Sequence, residues 1–194
     1  MKELLLEIRA CKICEPHLEH KARPVLAAAA TSKVAIIGQA PGSVVHRTGV
    51  PWDDKSGDRL RLWLDVTKAE FYDTNLFALI PMGFCYPGKG KTGDLAPRAE
   101  CAPQWHTPLF EKMKDLELII LIGSYAQHSY LLDDKKKTLT ETVRSFREYL
   151  PKYIVLPHPS PRNNIWMKKN QWFEEELVPF LKEEIKKVKR GTFH

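Results

Sequence analysis

The chain has 194 residues, is 43% hydrophobic and 28% charged, and carries a net charge of +6. This is the balance of a globular protein long enough to bury a core without staples. The longest apolar run, "LELIILIG", is far too short to cross a bilayer, and the N-terminus "MKELLLEIRACKIC" has acids and only a brief Leu run, unlike a signal peptide. No membrane association is therefore expected, and a cytoplasmic location is the default. The basic balance admits an anionic partner such as nucleic acid, phosphate or an acidic protein, or equally a solvated surface, with much of the excess in "KKVKR" near the C-terminus.

Taken in chain order, a cysteine-containing segment (residues 1–30) leads through four alanines into "KVAIIG", a short apolar run read as a first strand. "GQAPGSVVHRTGVPW", residues 38–52, follows it directly. It is crowded with Gly and Pro, holds no acid, and has only His46 titrating near neutral pH. Leu60, Trp63 and Leu64 then share one helical face. Thr67-x-x-Glu70 has the pattern of a capping box. Residues 75–81 read as a second strand. Leu109, Met113 and Leu116 mark a helix before a third strand, residues 116–123. Leu139, Val143, Phe146 and Leu150 mark another, opened by the capping box Thr138-x-x-Glu141. Residues 152–157 read as a fourth strand, and a long helical pattern, residues 170–189, closes the chain with Pro179 as a kink.

The four strands are short and unalternating, as in parallel sheets covered on both faces. Their alternation with helices predicts an α/β fold: a three-layer α/β/α sandwich around a central four-stranded parallel sheet. One domain over residues 1–194 is expected, with residues 1–30 packed on it. Ligands of such sheets gather beyond the carboxyl ends of the strands. The unusual segments fall at that edge: residues 38–52, residues 81–85, "GSYAQ" and "HPSPRNN".

There are four cysteines: Cys11, Cys14, Cys85 and Cys101. The first two form C-x-x-C, which lets two thiolates converge, and a second pair can complete a four-sulfur site. Four sulfurs suit zinc or an iron–sulfur cluster, and spacing does not choose between them. Unrelated buried thiols and a redox pair are the other readings. After the fourth strand, "HPSPRN" is held extended by its prolines, which presents His158 and leaves Arg162 at a stiff tip. Ser160 and nearby backbone N–H groups can hold a phosphate. A proline turn with a packing histidine is the plainer reading.

"GQAPG" after the first strand together with "HPSP" after the fourth resembles the uracil-DNA glycosylase superfamily. The cysteine order is similar to its iron–sulfur branch (family 4), whose motif has the form GEAPG-x-x-ED-x-x-G-x-PFVG-x-AG. Gly38, Ala40, Pro41, Gly42, Gly49, Pro51 and Gly57 match it, and Trp52 falls where the family has Phe. "IPMGFCYPGKGKTGDL" and "GVPWDDKSGDRLRLWL" look closer still to an uncharacterised bacterial branch.

The resemblance implies a monofunctional enzyme, acting as a monomer on DNA with a damaged base. It would flip uracil or another deaminated base into a pocket and hydrolyse the N-glycosidic bond. It implies His158 as donor to the leaving base, Trp52, Asn75 and Ala40 at the base, and Gly42, Ser43, Ser160 and Arg162 on the DNA. Lys89 and Lys91 are further phosphate candidates, or simply part of a solvated loop. A 4Fe-4S cluster on Cys11, Cys14, Cys85 and Cys101 is implied, with zinc as the alternative.

The sequence departs from the motif in its acids. Gln39 stands at the Glu position of GEAPG, and Val45 and His46 stand at Glu-Asp. Gln39 can orient water but cannot take a proton. Asp53 and Asp54 appear where the family has Val-Gly, and an extended stretch there would point Trp52 and Asp54 to one side. Asp54 is thus the candidate substitute acid, against a plain turn role before the next helix. Trp52 has a core position as its plainer reading, and Asn75 a strand start. The alternative function is a catalytically inactive nucleic-acid or nucleotide-binding module of the same fold. A third class is a metal-stabilised structural or interaction protein, which predicts metal but no DNA affinity.

Overall fold

In the computed structural model, which describes residues 1–193, four strands form one sheet: β1 (Val34–Ile37), β2 (Phe77–Leu79), β3 (Leu118–Ile122) and β4 (Tyr153–Leu156). Their order is β2-β1-β3-β4 and every pairing is parallel. The registers Val34↔Phe77, Val34↔Leu118 and Ile119↔Tyr153 leave the carboxyl ends together at one edge. Nearly every strand residue is buried, which is why the strands read as unbroken apolar runs. Helices flank the sheet, giving the expected α/β sandwich.

The helices are α1 (Lys2–Arg9), α2 (Ser43–Thr48), α3 (Lys55–Leu64), α4 (Lys68–Phe71), α5 (Cys101–Lys112), α6 (Gly123–Leu131), α7 (Leu139–Arg144), α8 (Asn164–Lys169) and α9 (Val178–Arg190). Both capping boxes form: Thr67 with Glu70 opens α4, and Thr138 with Glu141 opens α7. The helix marked by Leu109, Met113 and Leu116 stops earlier than that spacing suggests, with Met113 as its C-cap. Val143 lies in α7, but Phe146 falls in a separate 3-10 turn, Phe146–Tyr149. The final helical pattern is also divided. A π-helical turn, Phe173–Leu177, runs into α9, and Pro179 sits in the first turn of α9. Leu177 and Val178 keep helical dihedrals, so Pro179, which has no N–H to give, lies where the i→i+5 turn passes into the α-helix.

Two buried polar side chains bond so as to support the strand ends. Gln127 in α6 donates to the carbonyl of Leu156 at 2.9 Å. His106 in α5 is buried; one ring nitrogen lies 2.5 Å from the Tyr130 hydroxyl and Nε2 lies 3.0 Å from the carbonyl of Pro81. A carbonyl only accepts, so Nε2 carries the proton. Burial pulls the His106 pKa down from 6.5 to about 4, and the neutral ring braces the end of β2. Leu4, Leu5 and Ile8 of α1 join the main core cluster.

Candidate functional site

Beyond β1 and β2 the backbones stay zipped. Met82 donates to the Gly38 carbonyl at 2.8 Å and Gly83 to that of Gln39 at 3.0 Å. The glycine-rich segment is thereby fixed at the carboxyl edge before it enters α2. Gly49 ends that helix in a left-handed conformation, φ 74°. Arg23 covers the exposed carbonyls, donating to His46 at 2.5 Å and Arg47 at 2.8 Å.

The next stretch, residues 51–57, makes the first wall of a cavity. It is not extended, because Trp52 has φ 57°. That region is uncommon for a bulky residue and persists only when its surroundings hold it. Several contacts do so. The Tyr72 hydroxyl donates to the Pro51 carbonyl at 2.9 Å, and Arg61 reaches the Trp52 carbonyl at 3.4 Å. The indole lies over Gly38, where an added Cβ would come within 2.7 Å of the ring. A Cβ on Gly57 would lie 1.8 Å from the Trp52 carbonyl oxygen. Asp54 caps α3, its Oδ1 accepting from the Gly57 N–H at 2.8 Å.

The second wall is the loop after β4. The His158 carbonyl accepts from the Asn163 side chain at 2.7 Å. Arg59 of α3 ties this loop down, donating to the Ser160 carbonyl at 3.1 Å and to Asn164 Oδ1 at 2.8 Å. The Ser160 hydroxyl accepts from the Arg162 N–H at 3.2 Å. The His158 ring faces Trp52 with 5.8 Å between centroids and a 31° tilt. Burial lowers the His158 pKa below 6.5, while the charges of Asp54 and Asp94 pull it back up. Burial is the larger influence, so the imidazole is neutral at neutral pH.

The third wall is a small hairpin, residues 88–95. Gly88 turns it at φ 101°, and Gly90 donates to the Gly93 carbonyl at 2.6 Å. Leu95 donates to the Gly88 carbonyl at 2.9 Å. Two pocket side chains hold the hairpin from outside: Gln39 Nε2 lies 3.5 Å from the Leu95 carbonyl, and Arg162 donates to the Thr92 carbonyl at 3.3 Å.

Together the walls enclose about 540 Å³, lined by Gln39, Trp52, Asp54, Asp94, Tyr125 and His158 among others. That is the size of a small-molecule site, with an aromatic face and a few convergent polar groups. It sits where parallel sheets place their ligands. The family model described as Uracil DNA glycosylase superfamily matches residues 26–182, well over half of the chain. The chain belongs to the uracil DNA glycosylase superfamily.

Of the candidate residues that the sequence offers, Gln39, Ala40, Gly42, Trp52, Asp54, His158, Ser160 and Arg162 line this one cavity. Ser43 starts α2 just outside the lining, exposed. Lys89 and Lys91 are exposed on the hairpin and do not line the cavity. Asn75 is elsewhere. It precedes β2, at the amino edge of the sheet, where its Oδ1 accepts from the Thr31 hydroxyl at 2.7 Å. Its Nδ2 donates to Asp73 Oδ1 at 3.0 Å. This is turn chemistry, and it leaves Asn75 outside the pocket.

The expected cluster on Cys11, Cys14, Cys85 and Cys101 is overturned, and with it the zinc alternative. All four are free thiols, and three of them are buried. Among the described residues, no group of three or more His, Cys, Asp or Glu side chains is arranged to hold a metal ion. Burial pushes Cys85 up to about 11 and Cys101 up to about 12, and raises Cys14 as well. Cys14, Cys85 and Cys101 are packed as small buried side chains. Among the described residues, no helix is long and apolar enough to cross a membrane.

Sequence reasoning missed Asp94, Tyr125, Arg59 and Asn163. Asp94 is the single acid of "GKGKTGDL", and Tyr125 lies in the "GSYAQ" segment already placed at the ligand edge. Nothing in the sequence marks Arg59 as the bond between α3 and the His158 loop.

Proposed function

We propose that the protein is a monofunctional DNA glycosylase that takes uracil or a related deaminated base into this cavity and hydrolyses its N-glycosidic bond. The observation that carries the reading is the pairing of the Trp52 face with a neutral His158 in one cavity at the carboxyl edge. Flipping a base costs a few kcal/mol of unstacking. Stacking on Trp52 offsets about 1–3 kcal/mol of that. As the bond breaks, negative charge develops on the base oxygen, and an N–H from His158 stabilises it. The carboxamide of Gln39 orients either the base edge or water. Ala40 and Gly42 let the backbone approach closely, while Ser160 and Arg162 meet the DNA backbone or the gap left by the base.

The test is excision from oligonucleotides containing uracil, hypoxanthine or xanthine, run beside competition binding against undamaged DNA. Release of at least one base by the wild type supports the reading. One observation favours the alternative of an inactive base-binding module: the GQAPG segment has no acid, and the Asp54 carboxylate is engaged as a helix cap. That alternative expects damaged DNA to be bound preferentially and no base to be released.

A further inference from the structure

Resting on the glycosylase reading, we propose that Asp94 is the catalytic carboxylate that the GQAPG segment lacks. Three geometric observations support it. Asp94 lines the same cavity as Trp52, Gln39 and His158. Its carboxylate is directed at the GQAPG turn: Oδ2 lies 3.4 Å from where a Cβ on Gly42 would stand. It is held in a hairpin that pairs Asp94 with Lys89 and is clasped by Gln39 of the GQAPG turn and Arg162 of the loop after β4. The acid therefore enters the pocket from a different loop than the motif would suggest.

The two carboxylates in the cavity are not equivalent. Asp54 Oδ1 is spent on the Gly57 N–H. Asp94 stands in no ion pair among the described residues. It is also exposed to solvent, and so can keep a water beside it. Its charge reaches His158, whose pKa it raises against burial, so the two groups address the same space.

In the step assigned to it, the bond between C1′ and the glycosidic nitrogen breaks and its electron pair leaves with the base. The developing anion is held by His158. Water adds its oxygen to the cationic C1′, and its proton passes to Asp94. The proton then moves on to the departed base anion. The products are an abasic sugar and the neutral base, and Asp94 returns to its carboxylate form. The same negative charge stabilises the oxocarbenium-like sugar.

The experiment is single-turnover excision on the uracil, hypoxanthine and xanthine oligonucleotides by wild type, Asp94→Asn, Asp94→Glu and Asp54→Asn, with binding and melting temperature measured for each. Asp94→Asn is expected to lose about 100- to 10,000-fold in rate while binding damaged DNA and melting like the wild type. Asp94→Glu, which keeps the charge, should recover part of the rate, an outcome that a merely structural role does not give. Wild-type excision with Asp94→Asn equally fast would overturn the role of Asp94 alone. No excision by the wild type of any base in the set would overturn the glycosylase reading and this role with it. A rate loss in Asp54→Asn matching that of Asp94→Asn, without loss of melting temperature, would assign the acid to Asp54 instead.

Discussion

Two walls of the pocket are built on opposite terms. Residues 51–57 are fixed by a left-handed tryptophan, a glycine that admits no Cβ and the cap on α3. Tyr72 and Arg61 clasp the same stretch from behind. Residues 88–95 are a glycine-rich hairpin with Lys89, Lys91, Thr92, Asp94 and Leu95 all exposed, held by two long hydrogen bonds from Gln39 and Arg162. Shape and charge are thus divided. For the proposed base flipping, a stacking face is useful only if it is in place before the base arrives, so it belongs on the rigid wall. The carboxylate proposed to activate water can sit on an element of low local stability.

Gly57→Ala forces the Trp52 carbonyl aside and should cost about 4 kcal/mol or more in urea unfolding. Gly93→Ala meets only the flexible end of Arg162, at 2.6 Å, and should cost less than about 1 kcal/mol. Equal losses would mean that the walls are equally rigid.

A pH series probes the rigid side. His106 braces Pro81 and stays neutral down to about pH 4, whereas the unfolded chain takes up that proton below about 6.5. The unfolded state binds more protons across that window, so stability falls by about 3 kcal/mol as pH drops from 6.5 to 4. His106→Gln should flatten that part of the slope. An unchanged slope would remove His106 from the account.

Smaller effects sharpen the contrast. Asp54→Ala should lose about 1 kcal/mol of stability through its cap, and Asp94→Ala essentially none. Arg162→Ala should leave global stability within about 0.5 kcal/mol but speed hydrogen exchange across the hairpin that it clasps.

The fold was readable because buried parallel strands have to be apolar at every position, and residues 118–122 and 34–37 are. The convergence of the pocket was readable for a topological reason. All strands run one way, so the segments after β1 and β4 had to meet at one edge. What stayed hidden has no periodicity. The amide of Asn75 serves a turn at the other edge, and strand-start and strand-end asparagines look alike in sequence. The cysteine spacing suited a four-sulfur site, yet thiols that pack in a core carry the same letters. Asp94 entered through a hairpin whose fold over the pocket depends on Gln39 and Arg162, distant in sequence.

The most direct measurement is the single-turnover rate of base release from the deaminated-base oligonucleotides by wild type and His158→Ala at saturating protein. Release of at least one base by the wild type is expected, slowed about 100- to 1,000-fold in His158→Ala with binding retained. Release that is unchanged in His158→Ala, or none by the wild type, would contradict this expectation.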